Sequence, residues 1–140
     1  MKIYFAGPLF TLAEKVFNRK LRDELVLLGH EVFLPQESEA NEREVFDHLE
    51  VARDDQNAVY ANDVLIANLD GAMVDDGTAV EVGMAIAKGK KTVGYRTDFR
   101  MSGDDPKIHA NLMFRLMDTV ILYAGDDISE LARQIHAAIN

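Results

Sequence analysis

Asp63-Val64-Leu65-Ile66-Ala67-Asn68-Leu69 is the stretch on which the fold turns. A strand with one wet face alternates apolar and polar residues, whereas Val64 to Ala67 is apolar at every position. That continuity marks a strand covered on both faces, as in a parallel sheet. Working outward, Lys2-Ile3-Tyr4-Phe5-Ala6 is a second apolar run and stops at Gly7-Pro8, as a buried strand feeding a loop does. Between the two, Ala13, Val16, Phe17, Leu21, Leu25 and Leu28 recur at three- and four-residue spacing, which predicts a helix from Thr11 to Leu28 ended by Gly29. Glu31 to Leu34 reads as a strand closed by Pro35, and Val45, Leu49, Ala52 and Val59 mark a second helix. Downstream come a helix from about Gly77 to Lys88, a strand from Lys91 to Tyr95, a short helix near Ile108–Leu116, a strand from Thr119 to Tyr123, and a closing helix through Ile128, Leu131, Ala132, Ile135 and Ile139. Arg96–Pro106 is expected to be a mobile loop. Strands alternate with helices throughout, so the expected fold is α/β: a doubly wound, flavodoxin-like parallel sheet of about five strands with helices on both faces, in a single domain over residues 1–140.

Composition narrows the function. The 140 residues include 15 Lys and Arg against 24 Asp and Glu, a net charge of −9 that repels a polyanionic backbone and argues against a nucleic acid polymer as partner. There is no cysteine, which excludes disulfides, thiolate metal sites and cysteine nucleophiles and fits a reducing cytoplasm. No segment approaches the roughly 20 apolar residues needed to span a bilayer, and the N-terminal apolar run is too short for a signal peptide. The expectation is a soluble cytoplasmic protein with no membrane partner.

Ligands of doubly wound sheets sit at the carboxyl ends of the strands, which directs attention to Gly7-Pro8-Leu9, Pro35-Gln36, Leu69 to Gly77 and Arg96 to Pro106. The first of these loops has one glycine, so the dinucleotide fingerprint is absent. Gly83 to Lys90 has the wrong glycine spacing for a P-loop and lies at a helix end. The first strand ends on Ala6-Gly7-Pro8, without the acidic residues of a phospho-acceptor receiver domain. His30, His48, His109 and His136 show no metal-ligand spacing and read as surface or hydrogen-bonded residues.

Between Arg53 and Lys88 there is no basic residue, while Asp54, Asp55, Asp63, Asp70, Asp75, Asp76 and Glu81 fall in or beside that interval. Acidic residues gather at helix N-termini for capping and dipole reasons, which serves for Asp63 and Asp76 as well as any functional role does. Glu81 is different, because Gly77, Ala79, Gly83 and Ala85 around it leave room for a ligand. Near a helix N-terminus it is expected to be held ionised by the macrodipole. An ionised carboxylate can attack an electron-poor carbon or stabilise a cation, and glycosidic bond cleavage divides such work between two carboxyl groups. Asp75, six residues earlier across a glycine-containing turn, is a plausible partner. Divalent metal binding is the weaker use of these acids, since no oxygen-rich loop of calcium-site spacing is present.

Lys2-Ile3-Tyr4-Phe5-Ala6-Gly7-Pro8, Asp55 eight residues before Asp63-Val64, Asp75-Asp76-Gly77-Thr78-Ala79-Val80-Glu81-Val82-Gly83 and Asn111-Leu112-Met113, in this order, resemble the nucleoside 2-deoxyribosyltransferase family over nearly the whole chain. The resemblance implies exchange of the purine or pyrimidine base of a 2′-deoxyribonucleoside, as in nucleotide salvage, through a covalent deoxyribosyl-enzyme intermediate with retention. It implies Glu81 as nucleophile, Tyr4 steadying it, and Asp75 or neighbouring Asp76 as the acid on the base side. Asp55 and Gly7 fall at substrate-binding positions, with Asp55 on the sugar hydroxyl side. Asn111 matches an asparagine that completes a neighbouring subunit's site, so a homo-oligomer is implied. Gln36 is either a base contact or a solvated loop residue. No metal or organic cofactor is implied, and the partners are a deoxynucleoside and a free base. Gly7-Pro8-Leu9-Phe10 offers no basic or hydroxyl group, which favours a nucleoside over a nucleotide. A hydrolase acting on nucleosides or their 5′-monophosphates, and a non-catalytic nucleotide-derivative binding module, are the alternatives.

Overall fold

The computed structural model describes residues 1–38 and 47–140. Its five strands, β1 (Lys2–Ala6), β2 (Glu31–Phe33), β3 (Val64–Asn68), β4 (Lys91–Arg96) and β5 (Thr119–Leu122), form one all-parallel sheet in the order β2-β1-β3-β4-β5. Among the described residues four α-helices accompany it: α1 (Leu12–Leu27), α2 (His48–Ala61), α3 (Asp76–Ala87) and α4 (Ile128–Ile139). This is the expected doubly wound, flavodoxin-like single α/β domain.

Strand periodicity assigns the two faces. Ile3 and Phe5 of β1, Val64 and Ile66 of β3, and Val93 and Tyr95 of β4 join Leu21 and Leu25 of α1 and Leu131, Ile135 and Ile139 of α4 in one core. Tyr4, Ala6, Leu65 and Ala67 point the other way and pack with Val59 of α2 and Val82 and Ala85 of α3. All five β3 positions are buried, so the strand is covered on both faces, as its unbroken apolar run requires. β1 lies between β2 and β3; the chain leaves β1 toward α1 on one face and β3 toward α3 on the other. The β1–β3 junction is therefore the topological switch point where such folds open a crevice.

Helix ends follow their capping residues. Thr11 caps α1 in a reciprocal box with Glu14, and Asp47, Asp75 and Asp127 cap α2, α3 and α4. Val45, expected in the second helix, lies outside the described residues. β2 ends at Phe33, one residue before the expected end, because Leu34 opens a 3₁₀ turn at Pro35–Glu37. The expected helix near 108–116 is a shorter 3₁₀ helix, Leu112–Leu116. Ahead of it, His109 has a φ of 54° and Asp105 forms an antiparallel bridge with Ala110.

The expected mobile loop is instead tied down. Arg96 belongs to β4 and is buried, and the Asp70 carboxylate accepts from the Thr97 and Asp98 N–H groups. Further along, the Ser102 hydroxyl donates to the His109 carbonyl. These ties hold the segment at both ends. No described helix is long and apolar enough to cross a membrane.

Candidate active site

Tyr4 stands on the α2/α3 face of β1, wholly buried, its ring stacked on Phe33 at 5.5 Å between centroids. From there its hydroxyl donates a 2.7 Å hydrogen bond to Oε1 of Glu81, on α3. A strand residue and a helix residue 77 positions apart are thus joined beside the switch point.

Burial raises the Glu81 carboxyl from an ordinary 4.5 to about 7; the Tyr4 hydrogen bond opposes the rise, and the charges of Asp55 and Asp75 add to it. This corrects the expectation that the helix dipole holds Glu81 ionised. Glu81 is the sixth residue of α3, beyond the first turn where the dipole acts, and desolvation wins. A carboxyl group poised near neutrality suits a nucleophile or proton carrier far better than a surface ion. The Tyr4 phenol is pushed well above its usual range by burial and then by the Glu81 and Asp55 charges, so it stays a hydrogen-bond donor. Asp55, on α2, is raised by its own burial and by Asp54.

Asp75 caps α3. Its Oδ2 accepts from the Thr78 N–H at 2.8 Å and the Thr78 hydroxyl at 2.9 Å. Thr78 was not singled out from the sequence, although an Asp three residues before a Thr at a helix start is a legible capping signal. Asp76 faces elsewhere: its Oδ1 accepts from the Gly77 N–H, and it lines a cavity of about 680 Å³ with Ala79, Gly83, Asn111 and Phe114. That cavity lies on the flank of α3 away from Glu81, since residues 79 and 83 stand about 160° from residue 81 around the helix. The structure therefore joins Tyr4 to Glu81 directly, with the charges of Asp55 and Asp75 acting on Glu81, and places Asp76 and Asn111 on the cavity at the other flank of α3.

Gly7 follows β1, where an added Cβ would come within 3.2 Å of the Asn68 Cβ at the end of β3. Gln36 is held by α1: its Nε2 donates to the Lys15 carbonyl and its Oε1 accepts from Asn18, which also donates to the Pro8 carbonyl. Asn18 and Phe33 thus support the crevice without any sequence signal beyond apolar or polar character. Of the other acids in the stretch free of basic residues, Asp63 anchors the Lys2 N–H and Asp70 the 97–98 segment. Among the described residues no group of three or more His, Asp or Glu side chains is placed to hold a metal ion. His30 and His136 meet each other instead, Nε2 to Nδ1 at 2.9 Å.

Fold and site define a class: a doubly wound α/β protein with a half-buried, near-neutral carboxyl group hydrogen-bonded to a tyrosine beside the switch point. The model of the nucleoside 2-deoxyribosyltransferase family matches residues 3–113, and the chain belongs to that family. Among solved structures, it resembles a conserved protein from Enterococcus faecalis V583 at 31% identity and a TM-score of 0.77, covering 98% of each chain. It also resembles the 2-deoxyribosyltransferase of the psychrotolerant bacterium Bacillus psychrosaccharolyticus at 25% identity and a TM-score of 0.71, covering 94% of this chain and 90% of that one. The CMP N-glycosidase of Clostridium botulinum shares the fold at 20% identity and a TM-score of 0.68, with 98% of each chain covered. None of the curated proteins searched matches this chain significantly.

Proposed function

We propose that the protein is a nucleoside 2-deoxyribosyltransferase in which the Glu81 carboxylate attacks C1′ of a 2′-deoxyribonucleoside. The N-glycosidic bond breaks with its electron pair going to the base nitrogen, which takes a proton from the Asp75 carboxyl group. A second base then attacks C1′ of the Glu81 ester, gives its proton to Asp75 and frees the Glu81 carboxylate; two inversions give retention. The observation that carries this reading is the Tyr4–Glu81 hydrogen bond on a carboxyl group poised at about 7, with Asp55 and Asp75 acting on it. Asp75 is preferred to Asp76 as the acid because Asp76 lines the cavity on the flank of α3 away from Glu81. Asp55, Gly7 and Gln36 are assigned to the substrate, and the chemistry needs neither metal nor organic cofactor. The deoxy sugar is favoured because a 2-hydroxyl would withdraw electrons from the developing oxocarbenium ion.

A nucleoside is preferred over its 5′-monophosphate. Doubly wound folds bind phosphate at the first βα turn and the helix N-terminus after it. Here the chain's own Glu14 carboxylate takes that place, accepting from the Phe10 N–H at 3.0 Å and the Thr11 N–H at 2.7 Å, and those bonds lower its pKa.

We assign the apolar cavity beside α3, rimmed by exposed Met73, Met113 and Leu116, to a second copy of the chain, with Asn111 of each copy serving its neighbour's site. The Asn111 side-chain oxygen is used in capping Met113, which leaves its NH₂ group for a substrate. We place the protein in the cytoplasm, with its nucleoside substrates.

The test is incubation with 2′-deoxyinosine, with and without excess adenine or cytosine, and chromatography of the products. A new deoxynucleoside that forms only with added base supports the transferase. Free deoxyribose regardless of base makes it a hydrolase, and binding without turnover makes it a sensor. Asn111→Asp keeps the cap but loses the NH₂ donors, so activity should fall without loss of the oligomer measured by solution mass.

A further inference from the structure

Among the described residues Arg96 is the largest side chain with no exposed surface, and its role does not follow from the assignments above. Burying a guanidinium is expensive unless it is hydrogen-bonded, and Arg96 meets that cost through its two Nη atoms while its buried Nε has no partner among the described residues. Its contacts are backbone carbonyls: Nη1 donates to Leu69, and Nη2 to Gly71 at 2.9 Å and Arg100 at 3.0 Å, while the Asp98 carboxylate stands 3.8 Å away. Leu69 and Gly71 belong to the connection from β3 to the Asp75 cap of α3. Between them, Asp70 reaches back the other way, accepting from the Thr97 N–H and hydroxyl at 2.6 Å each and from the Asp98 N–H at 2.8 Å. The two segments are interlocked, Arg96 holding the backbone on either side of Asp70 and Asp70 holding the two residues after Arg96. Gly71 makes the turn possible, with φ at +104° and space for a Cβ closed by the Met73 carbonyl at 2.9 Å.

We propose that Arg96 is a positioning residue: its guanidinium fork fixes the Leu69–Asp75 connection and thereby the place of the Asp75 carboxyl group against the departing base. This rests on the reading of Asp75 as the acid. A misplacement of about 1 Å in a reacting group costs on the order of 100-fold in rate. A lysine cannot reproduce the lock, because a single ammonium lacks the planar fork that reaches three carbonyls at once.

The experiment compares wild type, Arg96→Lys, Asp70→Asn and Asp75→Asn in two measurements. Amide hydrogen exchange over residues 69–78 is expected to quicken by tenfold or more in Arg96→Lys and Asp70→Asn, with β1 and β3 unchanged. Turnover is followed on 2′-deoxyguanosine, whose base must be protonated to leave, and on 7-methyl-2′-deoxyguanosine, whose cationic base leaves without a proton. Arg96→Lys is expected to lose at least tenfold in kcat on the first substrate and much less on the second, as Asp75→Asn does. Wild-type exchange at 69–78, or an equal loss on both substrates, overturns the proposal. Asp70→Asn opens the lock while leaving the buried guanidinium its carbonyl partners, so it decides the matter if Arg96→Lys does not fold. An Asp75→Asn variant that loses equally on both substrates removes the acid assignment and this positioning role with it. If wild type turns over neither substrate, the functional reading itself fails, and hydrogen exchange still decides whether the lock exists.

Discussion

Glu81→Gln should make the protein more stable, and only at high pH. The native carboxyl titrates near 7 against 4.5 for the free group, because burial penalises its charged form. At about 1.4 kcal/mol per pH unit, that difference amounts to about 3 kcal/mol of folding free energy. The sign follows from the direction of the shift. Below pH 4.5 the group is neutral in both states and nothing is lost. As pH rises through 7 the unfolded chain ionises first, so the native state progressively loses stability, with the full loss reached above 7. Glutamine has nearly the same shape, keeps an oxygen for the Tyr4 hydroxyl and never ionises. Urea unfolding at pH 4.5 and at pH 8.5 should therefore give nearly equal stabilities at the lower pH and an advantage of up to about 3 kcal/mol for the variant at the higher. Activity should vanish at both. An advantage that is absent at pH 8.5, or of the same size at both pH values, would refute the claim that burial raises this carboxyl. A protein that gains stability by losing its functional group is a familiar trade at strained sites.

Tyr4→Phe removes the hydroxyl that stabilises ionised Glu81; a hydrogen bond to a charged group is worth about 1.5–3 kcal/mol, so the pH of half-maximal kcat/KM should move up by about 1–2 units. A pH profile unchanged in Tyr4→Phe would remove Tyr4 from the site. His30 is held below its ordinary pKa by burial, then by the N-terminal amine and His136. Its contribution to stability is present above about pH 6.5 and is lost as pH falls through the lower native value. The stability difference between wild type and His30→Gln should therefore shift against wild type from pH 7 to pH 5, as read from urea midpoints. Two glycines should behave oppositely by thermal unfolding. A Cβ at Gly94 meets Leu69 Cδ1 at 2.7 Å and Met117 Sδ at 3.1 Å, so Gly94→Ala should destabilise by about 1–3 kcal/mol. Gly83 has open space, so Gly83→Ala should stabilise α3 by about 0.5–1 kcal/mol.

The order of elements was legible because each carries its own period or cap. The unbroken run at Val64–Ala67 announced a strand covered on both faces, and the three- and four-residue apolar spacing announced the first and last helices, whereas the Asp47, Asp75 and Asp127 caps were found only in the structure. Glu81 was legible as an acid among small neighbours, and Asp75 as its companion. The Glu81 charge state was not, because it depends on the desolvation that β1 and α2 impose from positions far away in the chain. The segment after Arg96 looked like a free loop for a similar reason: its anchors, Asp70 and the Leu69 and Gly71 carbonyls, lie more than 20 residues earlier.

By itself, then, the sequence determined the alternation of strands and helices, the parallel sheet and the set of residue types that can do chemistry, because these rest on local periods and on side-chain inventory. Tertiary structure alone decided which of those residues meet. It placed the Tyr4 hydroxyl 2.7 Å from Glu81, set Asp75 as the cap of α3 bonded to Thr78 and Asp76 on the flank of α3 away from Glu81, and turned Arg96 inward onto the Leu69 and Gly71 carbonyls. Contact, burial and proton affinity depend on distances across the sheet, and those exist only once the chain has folded.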